Sequence, residues 1–355
     1  MKEKIMGRDA EVMTVLGPIA STGLGTTLPH EHLFIDLRFV KTKTEWTSEK
    51  VSIRNLHRLR VDYTCMSDNL LLASVGTAAN EVARFRDFGG GSLVDAGSIG
   101  TGRKPYALKQ VSQTTGVNIV MGTGFYIKQS LDTALLNYSE QALLKMLLKE
   151  CRYGYRGSGI RPGIIGEIGV GPTFDEWDKK SLKIAGMLQK ETGLSITIHI
   201  QAVPVIEGFA RPNGVEVVDF METLGTDLSR TVIGHADAQM DMDYLRSLLS
   251  RGVYVEFDHF GKEFYLPELN FCMARDIERV QAIGTLVGEG YGDRILISTD
   301  ICLKQDLTTY GGHGYAHILE TAVPMMKHQG LEPKTIQRIM VDNPKRVLET
   351  KSNYF

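Results

Sequence analysis

The sequence predicts an α/β fold, a single (β/α)8 TIM barrel with decorated loops, and three observations predict it. Eight short, apolar, β-branched runs recur along the chain, helix-patterned segments separate most of them, and histidine or carboxylate residues interrupt or end several of the runs. Apolar runs of four to eight residues suit strands buried on both faces, as in a parallel sheet. Eight of them at fairly even spacing favour a closed barrel over an open sheet. The structural alternative is an open, doubly wound sheet, and no GxGxxG follows the first run to support it.

The strands are expected at residues 27–34, 92–96, 117–122, 163–168, 195–200, 231–235, 252–257 and 294–299. Helices are expected at 131–151, 174–192, 214–224, 242–251 and 268–284. The last begins just after Pro267, which suits a first helical turn. Residues 38–72 are long and polar and read as an insertion over one barrel end, and 333–355 as closing helices on the outside. Gly89–Gly91 lacks the GKS or GKT ending of a phosphate loop and reads as a turn. With no linker-like or low-complexity stretch, residues 1–355 read as one domain.

The 355 residues suffice for one barrel with insertions, which takes about 250 residues or more. Apolar residues make up 43% and charged residues 23%, the balance of a globular protein with a large core. A formal net charge of −2 gives no bulk case for nucleic acid or an anionic membrane as partner. Cys65, Cys151, Cys272 and Cys302 form no CxxC pair, which argues against a thiolate zinc site and a disulfide framework. The opening MKEKIMGRDAEV has no apolar leader core and no run approaches a membrane span, so a cytoplasmic protein is expected.

The chemistry starts with His30 and His32 in LPHEHLF. Residues two apart on a strand share a face, so two imidazoles at a strand end can hold one metal ion. His199 in SITIHI, His235 in TVIGH and Asp300 in RILISTD each sit at or near the C-terminal end of another expected strand. Those ends form the active-site face of a barrel, where side chains from separate strands converge. Any one of them alone reads as a satisfied strand-end residue; their concurrence carries the metal reading. Glu167 in PGIIGEIG lies inside an apolar strand, where a carboxylate is costly unless cations or protons offset it. A metal-bridging carboxylate meets that condition, and so would a salt bridge inside the barrel.

The pattern TVLGPI, LGTTLPHEHL, GIIGEIG, the later histidines, STD and GGHGYAH resembles the phosphotriesterase family of the amidohydrolase superfamily over residues 12–349. The resemblance implies a two-metal hydrolase. His30, His32 and Asp300 would hold the buried ion and His199 and His235 the more exposed one. A hydroxide and Glu167 would bridge them, where the best-known members carry a carboxylated lysine. It implies a bridging hydroxide attacking a lactone or carboxylic ester, with Asp300 as proton shuttle. The departure at Glu167 weakens the case for organophosphate triester turnover, the second function considered; the third is a non-catalytic small-molecule binding barrel. Zinc is the first expectation for the metal, and a set of imidazoles and carboxylates also suits manganese, cobalt or iron. Tyr126 in GTGFY matches the family and is expected to line the pocket. Arg103, Lys104 and Lys262 are expected to meet an anionic substrate group. His259, His313 and His317 stand near the expected mouth, outside the ligand set. The family expectation for assembly is a homodimer, which the sequence itself leaves open.

Overall fold

The computed structural model describes residues 10–40, 46–203, 211–238 and 240–350. Eight parallel strands form the barrel in chain order: β1 (Thr26–Glu31), β2 (Gly90–Asp95), β3 (Asn118–Thr123), β4 (Ile164–Val170), β5 (Ile196–Ile200), β6 (Thr231–Ile233), β7 (Tyr254–Phe257) and β8 (Ile295–Ile297). Neighbours pair in sequence order from β1 to β8. The ring closes where the Asp300 N–H donates to the His30 carbonyl at 3.2 Å and the His30 N–H to Ser298 Oγ at 3.1 Å. Every expected strand is present, each within a few residues of its expected bounds.

Two faces of each strand have different fates. In β7, Val255 and Phe257 pack outward into the large core under the helices, whereas Tyr254 joins Val94, Val120, Ile164, Val232 and Leu296 in a second cluster. That second cluster fills the lower barrel interior, plugged by Val12 of an N-terminal hairpin (Glu11–Thr14 with Gly17–Ala20). Because side chains alternate, the residues two and four beyond Tyr254 and Leu296 look up the same bore. They are Glu256, Asp258, Ser298 and Asp300. The upper interior is thus polar and the lower interior apolar, and this positions the site. Gly122 serves a close approach of β3 and β4, since a Cβ there would lie 2.0 Å from the Gly166 carbonyl oxygen.

Helices cover the outside: α1 (Val75–Asp87), α2 (Pro105–Thr115), α3 (Glu140–Tyr153), α4 (Glu176–Thr192), α5 (Gly214–Thr223), α6 (Met242–Leu249) and α7 (Asp276–Gly288). Two helical expectations need correction. Residues 131–151 are not one helix: a turn at Thr133–Leu136 precedes α3, and Asp132 and Ser139 cap separate starts. Residues 268–284 do not begin a helix at Pro267. Pro267–Leu269 is a 3-10 turn inside a small hairpin (Tyr265–Leu266 with Phe271–Cys272), and α7 starts only at Asp276. The expected closing helices run from Pro333 to Leu348, and residues 351–355 lie outside the described residues. Of residues 38–72, in which 41–45 lie outside the described residues, Phe39, Val40, Tyr63, Thr64 and Leu70 line the central cavity at the C-terminal barrel face. Among the described residues no helix is long and apolar enough to cross a membrane.

Candidate metal centre

Six side chains expected from the sequence meet at the upper end of the bore. Glu167 stands in the middle: Oε2 is 3.3 Å from His30 Nε2, 3.3 Å from His199 Nδ1 and 3.7 Å from His235 Nε2, and Oε1 is 3.2 Å from His32 Nε2. Asp300 Oδ1 lies 3.3 Å from His32 Nε2 and 3.8 Å from His30 Nε2. His30, His32 and Asp300 form one compact group, and Glu167, His199 and His235 another, each with ligand atoms within 4.8 Å of one another. His235 and Asp300 follow their strands with φ of 56° and 45°, left-handed conformations that turn the chain sharply at the strand end. Glu31, between the two histidines, holds one of these turns. Its carboxylate accepts from Ser298 Oγ and Thr299 Oγ1 (both 2.7 Å), from the Thr299 N–H (2.8 Å) and from the Ile301 N–H (2.9 Å).

The residues fit a pair of cations. His30 Nε2 and Glu167 Oε2 are buried with no hydrogen-bond partner among the described residues, though both face the centre. His199 Nδ1 and His235 Nε2 are 2.7 Å apart, two ring nitrogens that need a proton or a shared positive charge nearby. Burial would raise the pKa of Glu167, yet the charge of His32 and the facing rings of His199, His235 and His30 hold it well below the carboxylate range. Burial would also lower the imidazoles, and the carboxylates overcome it: His32 is pushed up to about 9 by Glu167 and Asp300, His235 to about 10 by Asp258. His199 goes the other way, lowered by burial and by the charge of His235. In each case the carboxylates favour positive charge at the centre, which a divalent ion also supplies.

Behind the candidate ligands stand residues that the sequence analysis does not single out. Glu256 Oε2 is 3.1 Å and Asp258 Oδ2 3.3 Å from His30 Nδ1, and Asp258 Oδ1 is 3.0 Å from His235 Nδ1. Each ring is thereby oriented with its other nitrogen towards the centre. His259, left out of the ligand set, lines the cavity, stacks on His235 at 4.8 Å and reaches Asp300 Oδ2 at 3.9 Å through Nε2. Its Nδ1 is 2.8 Å from Asp237 Oδ1, and the buried Arg279 donates to Asp237 Oδ2 at 2.6 Å. The signal for Glu256 and Asp258 was present in VEFDHF, two carboxylates inside an apolar strand, the same signal that exposed Glu167.

Of the residues expected to meet substrate, Tyr126 and Lys262 line the cavity. Tyr126 Oη is 3.2 Å from His199 Nδ1. Lys262 is buried, with Nζ 2.6 Å from Asp300 Oδ2 and 3.5 Å from Cys302 Sγ. Arg103 is corrected: it does not line this cavity but makes a two-pronged pair with Glu150 (2.7 and 2.8 Å) and donates to the Gly122 carbonyl at 2.9 Å. Lys104 lies 5.9 Å from the Phe34 ring, also outside the cavity lining. His313 and His317 pack against each other at 5.1 Å, and His317 Nε2 is 2.6 Å from Asp276 Oδ2, away from the ligand set.

The profile of the Phosphotriesterase family matches residues 10–348. The chain belongs to this family. Among relatives, an N-acetyltaurine hydrolase of Dictyostelium discoideum is 34% identical, the match covering 96% of this chain and 98% of the relative. A resiniferatoxin-binding protein of Rhodobacter sphaeroides has a structure similar to this one with a TM-score of 0.88, 36% identity, and coverage of 96% and 95%. A variant of a PTE-like lactonase from Deinococcus radiodurans aligns with a TM-score of 0.72 at 26% identity, over 95% of this chain and 99% of that one. The phosphotriesterase family membership makes this a hydrolytic enzyme by descent, and its members act on small molecules.

Proposed function

We propose that the protein is a binuclear metal-dependent hydrolase that cleaves a carboxylic acyl bond, in a lactone or ester. One observation carries the reading: Glu167 stands buried between two histidine groups, its Oε2 unpartnered and facing three imidazole nitrogens. His30, His32 and Asp300 would hold one ion, His199 and His235 the other, and Glu167 would serve both. Zinc is the first candidate, with manganese, cobalt and iron compatible with the same ligand types. Two such ions would supply a hydroxide nucleophile near neutral pH and polarise the substrate oxygen.

The chain's own groups complete the chemistry. Asp300 presents Oδ1 to the centre and has Oδ2 anchored by Lys262. It takes the proton of the attacking group and delivers it to the leaving group, or passes it to His259 Nε2. Asp237 and Arg279 hold His259 with that nitrogen towards Asp300. Tyr126 forms the wall beside His199. The substrate is a small molecule, with no nucleic acid or membrane as partner, and the protein acts in the cytoplasm.

The curated relatives favour a second reading within the same mechanism, cleavage of an N-acyl amide. The discriminating experiment is a panel of lactones, carboxylic esters, N-acyl amides and phosphotriesters, run with metal-loaded wild type and Asp300→Asn. Turnover of a carboxylic substrate that Asp300→Asn loses supports the proposal. Turnover of phosphotriesters alone would make it a triesterase, and no turnover by fully loaded protein would make it a binding barrel.

A further inference from the structure

We propose, on the hydrolase reading above, that Tyr63 is a further catalytic residue, whose hydroxyl donates a hydrogen bond to the leaving-group oxygen of the substrate.

Two phenols line the cavity, and their hydroxyls differ in what they do. Tyr126 Oη is engaged, 3.2 Å from His199 Nδ1. Among the described residues nothing hydrogen-bonds the Tyr63 hydroxyl, and burial holds its pKa well above the ordinary phenol value. A phenol that keeps its proton and has no acceptor in the protein is a donor available to a bound molecule.

The place of Tyr63 is fixed from two sides. Its ring meets Phe264 at 5.8 Å in an apolar cluster with Val203 and Met273. Its carbonyl accepts from the buried Asn69 Nδ2 at 2.8 Å. Asn69 is tied in turn to the segment that carries Asp300. The Gln305 N–H donates to Asn69 Oδ1 at 2.9 Å, and the Lys304 N–H to the Asn69 carbonyl at 3.0 Å. The hydroxyl accordingly faces Lys262 and Cys302, with Tyr126 across the cavity. Those two side chains are the ones against Asp300 Oδ2, Lys262 Nζ at 2.6 Å and Cys302 Sγ at 4.0 Å. Tyr63 thus stands on the Asp300 side of the cavity and Tyr126 on the His199 side.

The chemistry divides the same way. As the acyl C–O bond breaks, its electron pair goes to the leaving oxygen, which takes its proton from Asp300. Tyr63 keeps its own proton and donates a hydrogen bond to that oxygen while charge builds on it. The contribution is greatest where the leaving group is poor, because more charge then develops before the proton arrives.

The test compares wild type and Tyr63→Phe, both metal-loaded, on substrate pairs that differ in the leaving oxygen: 4-nitrophenyl acetate against benzyl acetate, and 3,4-dihydrocoumarin against δ-valerolactone. Phenylalanine keeps the ring against Phe264 and removes only the hydroxyl. The expected loss in kcat/KM is about 10- to 100-fold on benzyl acetate or δ-valerolactone. It is less than about 3-fold on 4-nitrophenyl acetate or dihydrocoumarin, with metal content and circular dichroism unchanged. A structural role alone would lower both members of a pair alike. Equal losses within a pair, or no loss on either member, overturn the inference and leave the hydrolase reading standing. No ester or lactone turned over by the metal-loaded wild type overturns both.

Discussion

Asp258→Asn should weaken metal binding chiefly at the His199 and His235 side of the centre. The carboxylate of Asp258 faces His235 twice: Oδ1 is 3.0 Å from Nδ1, and the His235 N–H donates to Oδ1 and Oδ2 at 3.0 and 2.9 Å. Its second oxygen is 3.3 Å from His30 Nδ1, but His30 also has Glu256 at 3.1 Å. Asparagine keeps an acceptor for the His235 backbone and loses the charge that orients the ring. His30 retains its second carboxylate; His235 does not. Outer-shell substitutions of this kind cost about 10- to 100-fold in metal affinity, equal to roughly 1.4–2.8 kcal/mol. The assay is competition against a chelator at fixed metal, with circular dichroism as the check on folding. Glu256→Gln is the matched control, predicted to weaken metal binding less than Asp258→Asn, because His30 keeps Asp258 at 3.3 Å. Equal and unchanged affinities in both folded variants would refute the assignment of these carboxylates as orienting groups.

Other outcomes follow from the same geometry. Asp300→Asn should retain most of its metal and lose most of its turnover, and it should destabilise the fold by about 3 kcal/mol because Lys262 is left buried without its counter-ion, a loss that chemical denaturation would read. His259→Asn should slow turnover about 100-fold or more through loss of the proton partner, with metal content unchanged by elemental analysis. Asp178, at the start of α4, is pushed up to about 6 by burial and by Asp175, so its ionised form is penalised in the folded protein. That penalty is absent below the unfolded value near 4 and complete above 6. Asp178→Asn should therefore gain on the order of 2 kcal/mol at pH 8 and nothing at pH 4, measured as a difference in denaturation midpoint. Gly122→Ala should give an insoluble or strongly destabilised protein in expression and thermal melts, because the new methyl meets backbone at 2.0 Å.

The barrel and the six central residues were legible because both depend on patterns of residue type along strands. A histidine or carboxylate inside an apolar run is visible wherever it occurs, and strand ends converge in a barrel whatever the loops do. Glu256 and Asp258 carry the same mark in VEFDHF. What was not legible depends on partners distant in sequence. Arg103 looked free on its loop, and the residue that captures it, Glu150, lies 47 positions away. Lys262 looked available for an anion until the fold placed it against Asp300. The hairpin around Pro267 shares its residue types with a helix start, and only its pairing of Tyr265 with Cys272 decides between them. The insertion's polar composition gave no sign that Phe39 and Tyr63 would face the cavity.

The most direct test of the central claim is the metal content of protein purified without chelators, measured by elemental analysis beside Glu167→Ala and His199→Ala. About two transition-metal ions per wild-type chain are expected, with a clear loss in both variants. Little or no metal in the wild type, even after incubation with zinc or manganese, would contradict it.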